Sequence, residues 1–278
     1  MTKTPFLKMH GTGNDFVVLD GRKQAVALNK DAIVKICDRH FGIGCDTLVV
    51  LEASSKADVA VKFYNGDGSL SSTCGNASRC VADLVMSESG AATANIETIA
   101  GLLNATKNDD GAITVNMGSP KWDWRDVPLS ESRNTLHLGL EEGLLADPVA
   151  VSMGNPHAVF FVRDLTHIKM AEWGAKLEQN ALFPERANIS AVQVISPTHL
   201  KMLVWERGVG LTMACGSGAC AALVAAVRRG LAERKATLEL PGGNLTVDWQ
   251  ADATNATNGH VFMSGSVAYV FEGVIDLS

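Results

Sequence analysis

The sequence has no long apolar run. Its longest, Ala219–Val227, is nine residues, against the ~20 that cross a bilayer as a helix, so no membrane-spanning helix is expected. The first fifteen residues, Met1 to Asp15, hold no apolar stretch of the kind that marks a secretory signal, which points to the cytoplasm. Basic runs are also missing. The 24 Lys and Arg stand against 30 Asp and Glu, a formal net charge of −6, and this argues against nucleic acid or a membrane surface as partner. Six cysteines in 278 residues are too few for a disulfide scaffold. None are spaced as Cys-x-x-Cys, which weakens a zinc-ribbon or thioredoxin-like reading. No His-Glu-x-x-His or histidine cluster is present, so no metal is expected. The glycine-rich Gly11-Thr12-Gly13 and Gly216-Ser217-Gly218 lack the spacing, and the lysine, of phosphate-loop or dinucleotide fingerprints, so no cofactor is expected either.

What is present is an ordinary globular composition, with 46% hydrophobic and 19% charged residues, and a length suited to about two domains. Most of the pattern reads as short strands. Asp15–Leu19, Thr47–Glu52, Ala57–Tyr64, Ala112–Asn116, Val149–Met153, Ala158–Val162, Val192–Ser196, Leu200–Trp205, Ala236–Leu240, Asn244–Trp249 and Val261–Phe271 are β-branched, apolar or alternating. Helices are few. Asn29–His40 has apolar residues at helical spacing behind an Asn N-cap. Two more helices begin just after Cys74 and Cys215 and run to glycines near 90 and 230, and a fourth lies near Lys169–Gln179. Many strands with single helices between them predict an α+β fold. A seam is expected in the Pro/Trp-rich stretch Ser119–Asp126. It divides the chain into residues 1–120, completed by 265–278, and residues 121–264.

Two segments are related. Cys74-Gly75-Asn76-Ala77-Ser78-Arg79-Cys80 and Cys215-Gly216-Ser217-Gly218-Ala219-Cys220 each open with Cys-Gly-polar and continue into small and apolar residues. About half the chain separates them, as in two related domains facing each other across a cleft. A cysteine at a helix mouth sits at the positive end of the macrodipole, which lowers a thiol's pKa. The adjacent glycine lets a ligand reach the helix's unpaired amides, which suit a carboxylate. Two thiols flanking one anion site suit proton transfer at one carbon: one removes a proton from one face and the other delivers a proton to the opposite face. Cys80 and Cys220 read as core. Cys45 is the next candidate for a reactive thiol but lacks the helix-mouth signature, and it too reads as core.

The segments MHGTGNDFVVLDG (9–21), FGIGCD (41–46), YNGDGS (64–69), CGNASRCVA (74–82), SMGNPHAV (152–159), PERANI (184–189) and WERGVGLTMACGSGACAA (205–222) closely resemble the diaminopimelate epimerase family, in order and over nearly the whole chain. The resemblance implies a pyridoxal-independent epimerase that interconverts LL- and meso-diaminopimelate for lysine and peptidoglycan biosynthesis. Its fold would be two similar domains related by a pseudo-two-fold, each a sheet wrapped around a central helix, with the active site in the cleft. It implies Cys74 and Cys215 as catalytic cysteines, and His157 and Glu206 as their supports. Asn14, Asn65, Asn155, Asn188 and Arg207 would hold substrate, and Gly75, Asn76, Gly216 and Ser217 would bind the reacting carboxylate. Thr47 stands where the family usually has Gln, and Ala77-Ser78 replaces a Gly-Ala type pair. These departures keep open a racemase of another amino acid on the same scaffold. A thiol redox or metal-binding protein is the alternative from a different class. A homodimer is a further expectation.

Overall fold

A computed structural model of the chain describes residues 3–71, 73–251 and 259–277. The chain divides into two compact units, Met1–Val115 with Gly265–Ser278, and Asn116–Ser264. The boundary precedes residue 120 because the intervening segment is bonded into the second unit. Met117 N–H donates to Val261 O at 2.8 Å, and Lys121 N–H to Ser152 O at 2.9 Å.

In the first unit, β1 (Lys3–Gly11) and β2 (Asn14–Asp20) are followed by α1 (Lys30–Cys37), β3 (Thr47–Glu52), β4 (Val59–Asn65) and the short β5 (Leu70–Ser71). Next come α2 (Gly75–Ser89), β6 (Thr93–Thr98), β7 (Gly101–Lys107) and β8 (Ile113–Asn116). The second unit holds β9 (Glu141–Glu142), β10 (Leu145–Ala146), β11 (Val149–Ser152), β12 (Pro156–Val162), α3 (Met170–Glu178), β13 (Asn188–Ser196), β14 (His199–Glu206) and β15 (Gly210–Leu211). It continues with α4 (Gly216–Arg228), β16 (Lys235–Leu240), β17 (Gly243–Trp249) and β18 (Val261–Gly265), after which β19 (Ala268–Asp276) returns to the first unit. The expected single strand Val261–Phe271 is therefore two strands, divided because its halves serve different units. The sequence pattern also passed over β1, β6 and β7. In β1, Pro5, Lys8 and His10 break the alternation, and β6 and β7 carry polar residues on their outer faces.

The two units are topological copies. In the first, β1 and β2 are antiparallel, β2 and β3 parallel, β3 and β4 antiparallel, β4 and β6 parallel, and β6–β7–β8 antiparallel. In the second, β11 and β12, β12 and β13, β13 and β14, β14 and β16, and β16–β17–β18 repeat that order of senses. Each parallel step needs a crossover. The crossovers carry α1 and α2 in one copy, and α3 and α4 in the other.

Packing explains which helix is central. Eleven of the fifteen residues of α2 are buried, and so are eleven of the thirteen of α4. Ala219, Ala221, Ala222, Ala225 and Ala226 give α4 a narrow girth, so the sheet can approach on every side. The outer helices are amphipathic. The helix α1, capped by Asn29 accepting from Ala32 N, buries Ile33, Ile36 and Cys37. The helix α3 lies so close to β14 that a Cβ on Gly174 would stand 2.7 Å from the Cβ of Trp205. The Trp205 indole N–H donates to the buried Glu178 carboxylate at 2.7 Å.

Candidate active site

In the second unit, the sheet brings four expected residues to one end. Strand β12 starts at Pro156 and the parallel β13 at Asn188, with His157 opposite Asn188. Strand β14 runs the other way and ends at Glu206, one step beyond the Ile189–Trp205 pair. The mouth of α4 follows, with Cys215 as its N-cap in an extended conformation, φ −129° and ψ 112°. Burial holds the Cys215 thiol well above its ordinary pKa, and the Glu206 carboxylate, within hydrogen-bond reach of it, adds to the effect. The Gly218 amide and the Ser217 hydroxyl act the other way. The expectation that a helix mouth lowers the thiol's pKa is thus reversed at Cys215: desolvation and a facing carboxylate outweigh the dipole. Thr212 donates its hydroxyl to Glu206 and keeps that carboxylate in place.

His157 is fully buried and pushed down to about 3, by burial first and then by the Arg207 charge, so its imidazole is neutral at physiological pH. One ring nitrogen, Nε2, pairs with Asn155 Oδ1 at 3.0 Å. The other, Nδ1, is buried and has no hydrogen-bond partner among the described residues. The Asn155 amide also donates to Ser217 Oγ at 3.3 Å. Asn188 works within the sheet: its Nδ2 donates to Pro156 O at 3.0 Å, and its Oδ1 accepts from Arg207 N–H at 3.0 Å. The Arg207 guanidinium donates to Glu185 O at 3.0 Å, and Gly208 N–H to Glu178 Oε1 at 2.9 Å. Glu178 thereby fixes the turn that carries Arg207.

The first unit repeats this layout. Asn14 opens β2 and Thr47 opens β3, with Phe16 opposite Thr47, while β4 ends at Asn65 opposite Thr47. Cys74 is the N-cap of α2, φ −147° and ψ 101°. By strand register Thr47 corresponds to Asn188, Asn14 to Asn155 and Asn65 to Glu206, while the helix mouths pair Cys74, Gly75 and Asn76 with Cys215, Gly216 and Ser217. The Asn155–Ser217 contact has its own counterpart, since Asn76 Nδ2 donates to Asn14 Oδ1 at 3.2 Å. Where the second unit places His157 and Glu206, the first has the apolar Phe16 and the neutral Asn65. Asn65 donates to Ser69 Oγ at 3.0 Å in the turn after β4.

Beneath the α2 mouth lies a charged network that the sequence did not single out. Asp46 Oδ2 accepts from Asn14 Nδ2 at 2.8 Å. The Arg79 guanidinium, wholly buried, donates to Asn76 Oδ1 at 2.9 Å and to Thr12 Oγ1 at 3.1 Å. Gly11 leaves room for it, as a Cβ there would lie 3.0 Å from Arg79 Nη2. Asp15 is held down at about 2: hydrogen bonds and charge from Arg39 and Lys8 outweigh its burial. Asp46, Arg79, Thr212 and Glu178 carry no motif signal of their own. The hint in the sequence was their position within the quoted glycine-rich segments or, for Glu178, the end of a predicted helix.

Comparison with known proteins bears on this arrangement. The diaminopimelate epimerase family profile matches residues 6–123 and 149–270. The sequence is 52% identical over 272 residues to a diaminopimelate epimerase of Acidiphilium cryptum (strain JF-5), covering 98% of this chain and 96% of that protein. It is 50% identical to one of Rhodospirillum centenum (strain ATCC 51521 / SW), covering 96% and 91%. Among solved structures, a hydroxyproline epimerase from Agrobacterium vitis shares the fold at TM-score 0.74 and 15% identity, over 99% of this chain and 91% of that one. A phenazine biosynthesis protein of the PhzF family from Bacillus anthracis does so at 0.71 and 17%, over 99% of each.

Proposed function

The chain belongs to the diaminopimelate epimerase family, and from that premise we propose that it inverts one stereocentre of diaminopimelate by moving protons through Cys74 and Cys215. An isomerase of this kind needs two acid–base groups, one for each face of the reacting carbon. The observation that carries the reading is the duplicated constellation, in which each of two topological copies presents a cysteine at the mouth of its central helix.

The copies differ in a way that suits the task. In the second copy, Glu206 lies within hydrogen-bond reach of Cys215. It accepts the thiol proton when Cys215 is to act as base, and Cys215 otherwise stays a thiol ready to donate. His157 is the remaining base candidate. Its buried Nδ1 has no hydrogen-bond partner among the described residues and, the ring being neutral at physiological pH, is left to accept a hydrogen bond. In one direction Cys74 takes the Cα proton and Cys215 donates its own to the opposite face. The reverse reaction exchanges the roles. No redox change or covalent intermediate is required.

The amides at Gly75/Asn76 and Gly216/Ser217 stabilise the substrate carboxylate, whose negative charge grows as the carbanion forms. Asn14 and Asn155 orient the second residue of each helix and present amides to the substrate. Arg207 binds the distal carboxylate, and Asn65 and Asn188 complete the set with amides that both donate and accept. The relatives' names support this substrate over another amino acid. The hydroxyproline epimerase shares the fold at an identity too low to carry substrate choice. On this reading the protein acts in the cytoplasm on a small molecule and not on nucleic acid or membrane. It pairs with a second copy through the exposed apolar side chains of β19, where Tyr269, Val270, Phe271 and Val274 are each about half exposed.

Incubation with LL-diaminopimelate in deuterium oxide tests the reading. The expected product is meso-diaminopimelate with deuterium at the inverted carbon, while L-lysine, which lacks the distal carboxylate, stays unlabelled. Equal turnover of lysine would replace the proposal with a general amino-acid racemase.

A further inference from the structure

One thiol pair stands outside the chemistry above. Cys37 ends α1, and Cys45 lies beyond the turn that follows it. Their sulfurs are 3.5 Å apart, with the Cys45 S–H directed at Cys37 Sγ, and 6% and 4% of the respective residues is exposed. The backbone fixes this proximity. Ile43 and Gly44 N–H both donate to Ile36 O, and Cys45 N–H to Cys37 O at 3.2 Å. The turn is thus laid on the last carbonyls of the helix, and a Cβ at Gly42 would overlap Lys35 O at 1.9 Å. The Cys45 hydrogen bond, with help from the Lys8 and Arg39 charges, draws Cys37 below its ordinary pKa, and Cys45 is pushed up in consequence. Between them, Arg39 and Phe41 are exposed, and a cavity of about 480 Å³ opens beside Ile36, Phe41 and Ile43.

Cys45 is also joined to the α2 mouth. Its neighbour Gly44 accepts from Lys8 through its carbonyl. Its other neighbour, Asp46, binds Arg39 at 2.7 Å and holds Asn14 at 2.8 Å. Thr47 follows directly.

We propose that Cys37 and Cys45 form a thiol-modification site, separate from the two helix-mouth cysteines, that closes to an intramolecular disulfide by exchange with a small-molecule disulfide and thereby displaces Asp46 and Asn14. The Cys37 thiolate attacks one sulfur of the small disulfide, forming a mixed disulfide and releasing one thiolate. Cys45, once deprotonated, attacks the Cys37 sulfur and releases the second. Two protein thiols are oxidised, one small disulfide is reduced to two thiols, and the protons balance. Closing the sulfurs from 3.5 Å to a bond of about 2.05 Å moves them by more than an ångström. A misplacement of about 1 Å at a positioning residue costs about a hundredfold in turnover, so the part of this movement that reaches Asn14 sets the loss. The bond itself is independent of the proposed reaction. Its effect on turnover rests on that reading.

The test uses the full-length Cys74→Ser/Cys215→Ser protein treated with glutathione disulfide, alkylated and digested with trypsin, which cuts after Arg39. The expected product is a 36–39 peptide linked to 40–56 and released by dithiothreitol. Full alkylation of both thiols after the same treatment would overturn the site. Amide hydrogen exchange of that protein, oxidised against reduced, reads the coupling without any activity: exchange at residues 13–16 is expected to change, and unchanged exchange there would overturn the link to Asn14. In the protein with all six cysteines, oxidation is expected to lower kcat/KM at least tenfold and reversibly. Cys37→Ser, which keeps its reduced activity, should lose less. Equal loss in both would assign inactivation to the helix-mouth cysteines and overturn the regulatory role. Failure of the reduced enzyme to turn over diaminopimelate would sink the functional reading and leave the mapped disulfide standing.

Discussion

Burial and then the Glu206 carboxylate raise the proton affinity of Cys215, and in the proposed mechanism Glu206 also accepts that proton, which makes its position critical. Thr212 sets that position through a hydroxyl donated to the carboxylate. Hydrogen bonds to charged groups contribute about 1.5–3 kcal/mol, so Thr212→Val is expected to lower kcat roughly 10- to 150-fold. Steady-state kinetics with an unmoved KM would locate the effect in the proton transfer. His157 permits a test by stability. Its folded pKa, about 3, lies below the ordinary 6.5. Above pH 6.5 both folded and unfolded states hold it neutral, and its contribution is constant. As pH falls below 6.5 the unfolded chain binds a proton that the folded chain refuses, so stability drops by about 1.4 kcal/mol per pH unit from this group. Asp15, held near 2, adds its own loss only as the pH falls through the ordinary 3.8. Urea unfolding between pH 6 and 4.5 should therefore fall less steeply for His157→Asn than for the parent, and equal slopes would refute the buried neutral imidazole. At this scale the sequence was partly legible. The cysteines and their glycines declare themselves because the motif occurs twice. Asp46, Arg79 and Thr212 do not, because their roles arise from strand register and burial, which bring together residues with no common spacing.

At the scale of elements, the central helices were readable from their apolar and small residues and their glycine ends. Gly90, with φ 72°, ends α2, and Gly230, with φ 70°, follows the α4 cap at Arg229. The outer strands were harder. Strand β7 shows a single buried side chain, Ala105, and so gives no alternation to read. The two helix mouths are not interchangeable in detail. A Cβ at Gly218 would lie 3.2 Å from Cys215 Sγ, whereas its counterpart in α2, Ala77, is accommodated in full burial. Gly218→Ala should therefore displace the Cys215 sulfur and reduce kcat at least tenfold, even though alanine favours the helix by about 1 kcal/mol. The reverse substitution, Ala77→Gly, should cost stability of that order and little turnover. Thermal melts and kinetics on the pair check both. A Gly218→Ala enzyme of normal activity would show that the thiol tolerates the shift.

At the scale of the molecule, the repeated order of parallel and antiparallel strands accounts for the spacing of the two Cys-Gly motifs along the chain. That repeat was visible only through its most chemically distinctive residues, because the strands around them share pattern and not identity. The exposed apolar side chains of β19 lead to a second consequence. Val270→Lys combined with Val274→Lys, both about half exposed, should convert a dimer to a monomer in light scattering. A parent that is itself monomeric would contradict the proposed pairing. The central claim, proton transfer through two thiols, is tested most directly by following deuterium entry and stereochemistry together in Cys74→Ser and Cys215→Ser proteins given LL-diaminopimelate in deuterium oxide. The account predicts that neither variant forms more than a trace of the meso isomer, because an alcohol of far higher pKa cannot carry the proton. Near-normal formation of deuterated meso-diaminopimelate by either variant would contradict it.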